Sequence, residues 1–126
     1  MHDAHGDEYQ NYLSQLHGTL EVLRAGAQEQ CEMTGAYNAP WELRQDGVDF
    51  IESVLALGGA NIEESTTKAL LTLRESLAAL PSEAISPDGE DMTTAKGCIA
   101  AFMHPAWGGV RAAATSCLSL VRDPFG

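Results

Sequence analysis

Apolar side chains recur along this chain at steps of three and four, and each run is closed by glycine or proline. The first run, Leu13, Leu16, Leu20, Leu23 and Ala27 with Tyr9 and Tyr12, places one apolar stripe on a helix from Asp7 to about Gln30. Gly18 and Gly26 weaken its interior and end, and Gly35, Asn38 and Pro40 mark its break. A second helix opens at Asn38, whose side chain can accept from free backbone N–H groups, with Pro40 where a missing N–H costs nothing. Trp41, Val48, Ile51 and Leu55 define its expected buried face, Gly47 is a weak point, and Gly58-Gly59 supplies a left-handed exit.

Asn61 and Glu64 have the spacing of a capping box for a third helix, buried through Ala69, Leu70, Leu73, Leu77 and Leu80 and stopped by Pro81. The stretch from Pro81 to Asp91 reads as a loop with room for one helical turn at Ser82 to Ile85. Asp91 can cap a fourth helix carrying Met92, Cys98, Ile99 and Phe102, which His104-Pro105 interrupts because proline disfavours the helical conformation of the residue before it. A fifth run follows with Trp107, Val110, Ala114, Cys117, Leu118 and Val121; two helices or one kinked helix both fit. No period-two run of β-branched residues points to a strand. The pattern therefore predicts an all-α fold, a compact antiparallel bundle of four to five helices in a single domain spanning 1–126, with 1–6 disordered.

Composition changes this picture in two ways. Eighteen Asp and Glu against seven Lys and Arg give a net charge of −11, which repels phosphate backbones and anionic lipid and favours basic protein surfaces over nucleic acid or membrane. The same acidity also serves solubility alone. The three cysteines, Cys31, Cys98 and Cys117, are odd in number and fall on apolar helical positions, so they read as buried thiols of a cytoplasmic protein without a disulfide. The start of the chain has no apolar stretch of the secretory kind.

Catalytic spacing is sparse. His17 and Glu21 share a helical face without a nucleophile beside them, and His2, Asp3, His5 and Asp7 lack the fixed spacing of a structural metal site. No Cys pair, phosphate loop or His-Glu-x-x-His motif occurs. The expectation is a protein that is not an enzyme and uses no cofactor or metal. The constellation above background is Glu42, Asp46, Asp49 and Glu52, carboxylates stepped by four, three and three along one flank of the second helix, with Glu63 and Glu64 extending it. Either Arg44 and Arg74 neutralise this strip as a solvated face, or it receives lysines and arginines of a basic partner. Both tryptophans, each following a proline at a helix start, are assigned to the core.

Through Tyr37-Asn-Ala-Pro-Trp-Glu-Leu43 and Met103-His-Pro-Ala-Trp107 with Val110-Arg111, the chain resembles small helical bacterial immunity proteins, partners of polymorphic or contact-dependent growth-inhibition toxins. The resemblance implies a cytosolic antidote that covers the active site of a cognate toxin domain. Many such toxins are nucleases with basic clefts, which an acidic inhibitor can fill. Contact residues vary between pairs in that group, so none is transferred by motif. Two other readings stay open: a helical scaffold or adaptor that self-associates through an apolar face, and a small enzyme or ligand-binding domain built around His17 or His104.

Overall fold

In the computed structural model, which describes residues 4–126, every regular element is helical. Seven α-helices follow one another: α1 (Ala4–Arg24), α2 (Ala27–Thr34), α3 (Ala39–Gly58), α4 (Glu64–Ala78), α5 (Ser82–Ile85), α6 (Ala95–Phe102) and α7 (Ala106–Leu118), with a 3-10 turn at Gly59–Asn61. The four longest close a ring, because α1 packs against α3 and α7 while α4 packs against the same two. The short segments form a second layer in which α2 lies on α6, and α5 lies on α6 and α3. Residues 1–3, part of the stretch expected to be disordered, lie outside the described residues; from Ala4 the chain is already helical.

The ring is held by the stripes the sequence displays. Leu16, Leu20 and Leu23 of α1, Ile51 and Val54 of α3, Leu70, Leu73 and Leu77 of α4, and Trp107, Val110, Ala114 and Cys117 of α7 are all essentially without solvent exposure and join one cluster. Each fully buried Leu contributes about 1.5–3 kcal/mol of transfer free energy. Gly47, which looks like a weak point from propensity, sits where α3 meets its neighbours: a Cβ there would come within 2.8 Å of Leu77 Cδ1.

Seven segments replace four or five because the expected single turn at Ser82–Ile85 forms as α5 and the first long pattern is cut in two. The expected first helix ends at Arg24; Gly26 is extended (φ −70°, ψ 164°) and α2 restarts after it. The freed end of α1 is satisfied by side chains. Gln30, fully buried, donates from Nε2 to the carbonyls of Val22 and Leu23 at 3.1 Å each. Arg111 donates from Nε to the Ala25 carbonyl (2.8 Å), and from Nη2 to Gln30 Oε1 (2.8 Å) and the Phe102 carbonyl (2.6 Å). One guanidinium thus closes the C-terminal ends of α1 and α6, where carbonyls lack helical partners and a cation is favoured.

Three expected caps fall elsewhere. Asn38 precedes α3 in the left-handed conformation (φ 49°) and makes no side-chain cap; its N–H instead donates to the Met92 carbonyl at 2.9 Å. Asn61 belongs to the 3-10 turn, so α4 starts at Glu64 behind Glu63 with no capping box. Thr94, not Asp91, caps α6, accepting from Gly97 N–H at 3.1 Å, while Asp91 folds a tight turn by accepting from Thr93 N–H (2.9 Å) and Oγ1–H (2.6 Å). Gly97 permits this because a Cβ at that position would overlap the Asp91 carbonyl. α3 stops at the expected glycine pair, though not in the left-handed helical conformation: Gly59 has φ 51° and ψ −131°, a region that favours glycine, and its N–H returns to the Leu55 carbonyl. His104-Pro105 separates α6 from α7 as two helices, with His104 Nδ1 accepting the Ala106 N–H at 3.1 Å.

The cysteines are the main correction. Cys31 on α2 and Cys98 on α6 are bonded, with Cα atoms 6.0 Å apart at a sequence separation of 67. Sequence spacing says nothing about which helices come together, and the pairing of α2 with α6 is what brings the two sulfurs into range. Only Cys117 remains a buried free thiol, and burial pushes its pKa up to about 11.

A candidate protein-binding face on the third helix

The buried side of α3 is set by Ala39, Pro40, Leu43, Gly47, Ile51, Val54 and Gly58. At about 100° per residue the opposite side carries positions 41, 42, 45, 46, 49, 52 and 56, and all seven are exposed. Glu42, Asp46, Asp49 and Glu52 therefore stand together on the solvent face. Their mutual repulsion registers at Asp46, whose pKa is raised above the ordinary carboxylate value by partial burial, then by Glu42, then by Asp49.

Nothing answers this charge within the described chain. The ion pairs among the described residues are His17 with Glu21 and Lys68 with Glu64, each at 3.2 Å. Arg44 and Arg74, the expected neutralising groups, are half-buried and form no such pair with the strip. Glu63 and Glu64 are exposed at the start of α4, but Glu64 already faces Lys68 one turn along its own helix. The strip proper is thus the four carboxylates of α3.

Trp41 stands at the N-terminal end of the same face, 50% exposed, and Tyr37, four residues earlier, is 61% exposed. This overturns its assignment to the core. Position 41 lies about 200° around the helix from both 39 and 43, which face inward, so its phase matches the carboxylates and not the leucines. Trp107 is the contrasting case: it is fully buried, its Nε1 donates to the Ala84 carbonyl at 2.8 Å, and its ring meets Phe102 edge-on at 4.8 Å between centroids. Between the start of α3 and the segment 85–92 lies an open cleft of about 480 Å³, lined by Asn38, Trp41, Ile85, Glu90, Asp91 and Met92 among others. Asn38 and Trp41 line one side of it, and Ile85, Glu90, Asp91 and Met92 the other. Asp91 stays anionic well into acid, since the side-chain and backbone hydrogen bonds from Thr93 hold its pKa below the usual value.

The enzyme candidates fare differently. His17 reaches Glu21, and Asp123 lies near enough for His17 and Ser14 to affect it; its pKa is lowered first by the Phe125 N–H, then by Ser14, with His17 a smaller contribution. In a hydrolytic triad the serine must face the imidazole, whereas Ser14 acts here on the Asp123 carboxylate. His104 serves as an acceptor at the start of α7 and borders a shallow surface depression with Met103 and Glu83. Among the described residues no group of three or more His, Cys, Asp and Glu is placed to hold a metal; His2 and Asp3 lie outside them, as does the side chain of His5.

No protein-family model matches the chain, and neither the curated proteins nor the solved structures include a significant match to it.

Proposed function

We propose that this protein is a non-catalytic inhibitor whose α3 face docks on a basic protein surface, in the manner of an immunity protein neutralising a toxin domain by covering its active site. The observation that carries the reading is the row Glu42, Asp46, Asp49 and Glu52, exposed on one side of one helix without a cation in range. A face of like charges that the fold itself does not use is suited to speeding encounter with an opposite field and to rejecting wrong partners. The half-exposed Trp41 at its end supplies the type of residue that concentrates binding energy at protein interfaces. A nuclease domain, basic because it grips phosphates, fits as the target. In the same reading the ring is an antiparallel bundle, as the short 59–63 connection between α3 and α4 favours, and it backs the docking face rigidly.

The Cys31–Cys98 bond bears on location. Disulfides persist in oxidising compartments and are rare in the cytosol, so the bonded form belongs to an oxidising compartment, and a cytosolic inhibitor would carry the pair as thiols.

The test is capture by the tagged full chain at low and moderate salt, with bound protein identified by mass spectrometry. One stoichiometric basic protein whose association slows with salt, and which is released by Asp46→Lys with Asp49→Lys, supports the reading. A salt-indifferent oligomer of the chain alone refutes it in favour of a self-associating scaffold.

A further inference from the structure

We propose that the cleft between the start of α3 and the segment 85–92 is a docking site for an arginine side chain of the partner protein, stacked on the Trp41 indole and paired with the carboxylates of Glu90 and Asp91. The proposal rests on the binding function above and specifies which chemistry the partner must present at one point of the interface.

The two tryptophans of the chain make the first argument. Trp107 has its ring packed and its N–H satisfied, whereas Trp41 leaves half its surface in water at a position whose helical phase faces outward. Leaving a large aromatic so exposed forgoes burial that a smaller polar residue would not need, so the indole contributes little to the fold that would require it there. Its neighbourhood supplies the second argument. Ile85 and Met92 are half-buried, which gives the cleft apolar surface for the methylene stem of a long side chain, and Glu90 and Asp91 stand among its lining residues.

The third argument is that the cleft is built before any partner arrives. The Asn38 N–H donates to the Met92 carbonyl across it and ties its two walls together. The outer wall is two consecutive turns, one closed by the Glu90 N–H on the Pro87 carbonyl at 3.2 Å and one by Thr93 on Asp91. A preformed wall removes part of the ordering cost of binding.

Charge complementarity selects the occupant. Among the described residues no lysine or arginine lies within ion-pair distance of Glu90 or Asp91, so both carboxylates await a cation. A planar guanidinium can lie over the indole face and still direct its N–H fork at a carboxylate, which a lysine ammonium cannot do with the same geometry.

The experiment uses the ¹⁵N-labelled full chain at low salt, titrated with a blocked Gly-Arg-Gly tripeptide and, separately, with its citrulline counterpart, which keeps the shape and lacks the charge. The expected result is a saturable shift of the Trp41 indole N–H signal and of the 85–92 amides with the arginine peptide alone, while the Trp107 indole signal stays fixed. Trp41→Leu and Glu90→Gln should each weaken that binding about threefold or more, with the stationary Trp107 signal reporting an intact core. Equal responses to arginine and citrulline, no response at the cleft, or a Trp41 signal that moves with protein concentration alone would each overturn the proposal, the last because a second copy then fills the cleft. The binding function is judged separately: a captured partner that holds Trp41→Leu as tightly as the parent, yet is released by charge reversal at Asp46 and Asp49, sinks the cleft and leaves the α3 face standing.

Discussion

Reducing the Cys31–Cys98 bond should weaken the fold substantially without unfolding it. The bond closes a loop of 67 residues, and the chain-entropy relation gives an unfolded-state restriction of about 15 cal/mol/K, or roughly 4 kcal/mol at 25 °C. Native strain and residual structure in the reduced unfolded chain lower what is measured, so the expected loss is about 2–4 kcal/mol. Domains of this size are stable by about 5–15 kcal/mol, so the reduced protein remains folded at room temperature. The ring of α1, α3, α4 and α7 does not contain the bond, and the Arg111 contacts still hold α2 and α6 to it.

The assay is urea unfolding followed by circular dichroism, with and without a phosphine reductant, and repeated on Cys31→Ala with Cys98→Ala. Both perturbed samples should unfold at lower urea, with an unchanged or slightly larger slope because the uncrosslinked chain expands further. Thiol titration of the oxidised, denatured protein should count one cysteine, and the same reagent should react slowly with the native protein, where burial keeps the Cys117 thiol protonated. Identical midpoints with and without reductant, together with three titratable thiols in protein prepared under oxidising conditions, would refute the cross-link and return all three cysteines to the role of buried thiols.

Two other substitutions probe other parts of the structure. Arg111→Met leaves Gln30 Oε1 and the carbonyls of Ala25 and Phe102 short of a charged donor, and should cost about 3 kcal/mol or more, read as a lower urea midpoint; Arg111→Lys should restore only part of it, since an ammonium cannot reproduce the fork. Asp46→Asn should raise stability at neutral pH by a few tenths of a kcal/mol by relieving repulsion from Glu42 and Asp49. Because the folded pKa of Asp46 is raised, its protonated form favours folding below the unfolded value of 3.8, and that benefit is lost as pH rises through the folded value; the gain from the substitution should therefore vanish at pH 3, in parallel unfolding curves.

The four ring helices were legible because their apolar residues, leucines in α1 and α4 and a mixed set in α3 and α7, repeat at the helical period over several turns. What the sequence concealed was local competition at their ends. Asn38, Asn61 and Asp91 all have cap chemistry, yet a left-handed turn, a 3-10 turn and a tight Asp-Thr turn take them instead, and which of these prevails depends on tertiary contacts such as the Asn38–Met92 hydrogen bond. Trp41 was misplaced by treating a proline-tryptophan start as a motif; counting its phase against Leu43, Ile51 and Val54 is enough to put it outside. Arg111 was visible only as part of a short motif, since its three acceptors lie in two distant stretches of chain, 25–30 and Phe102. The acidic strip was readable from spacing alone because the solvent side of a helix is the complement of its buried side.

The disulfide is coupled unequally to the acidic strip and to the Trp41 cleft, so on the proposed function its redox state should affect the two differently. Glu42, Asp46, Asp49 and Glu52 stand on the solvent side of α3, which is held chiefly by α1 and α4 and meets the bonded layer only through smaller contacts with α5 and α6, so the strip should keep its geometry when the bond is reduced. The Trp41 cleft is differently placed. One wall begins just after α2, through the residues 35–38 in which Ala36 and Asn38 both hold positive φ, and the other ends just before α6. Those two helices are the ones the bond joins, so reduction should leave the walls that the Asn38–Met92 hydrogen bond closes less firmly held. Long-range attraction to a basic partner should therefore survive reduction, while arginine capture at Trp41 should weaken. A partner met in an oxidising compartment would engage both surfaces, and one met in the cytosol would rely on the charged face alone.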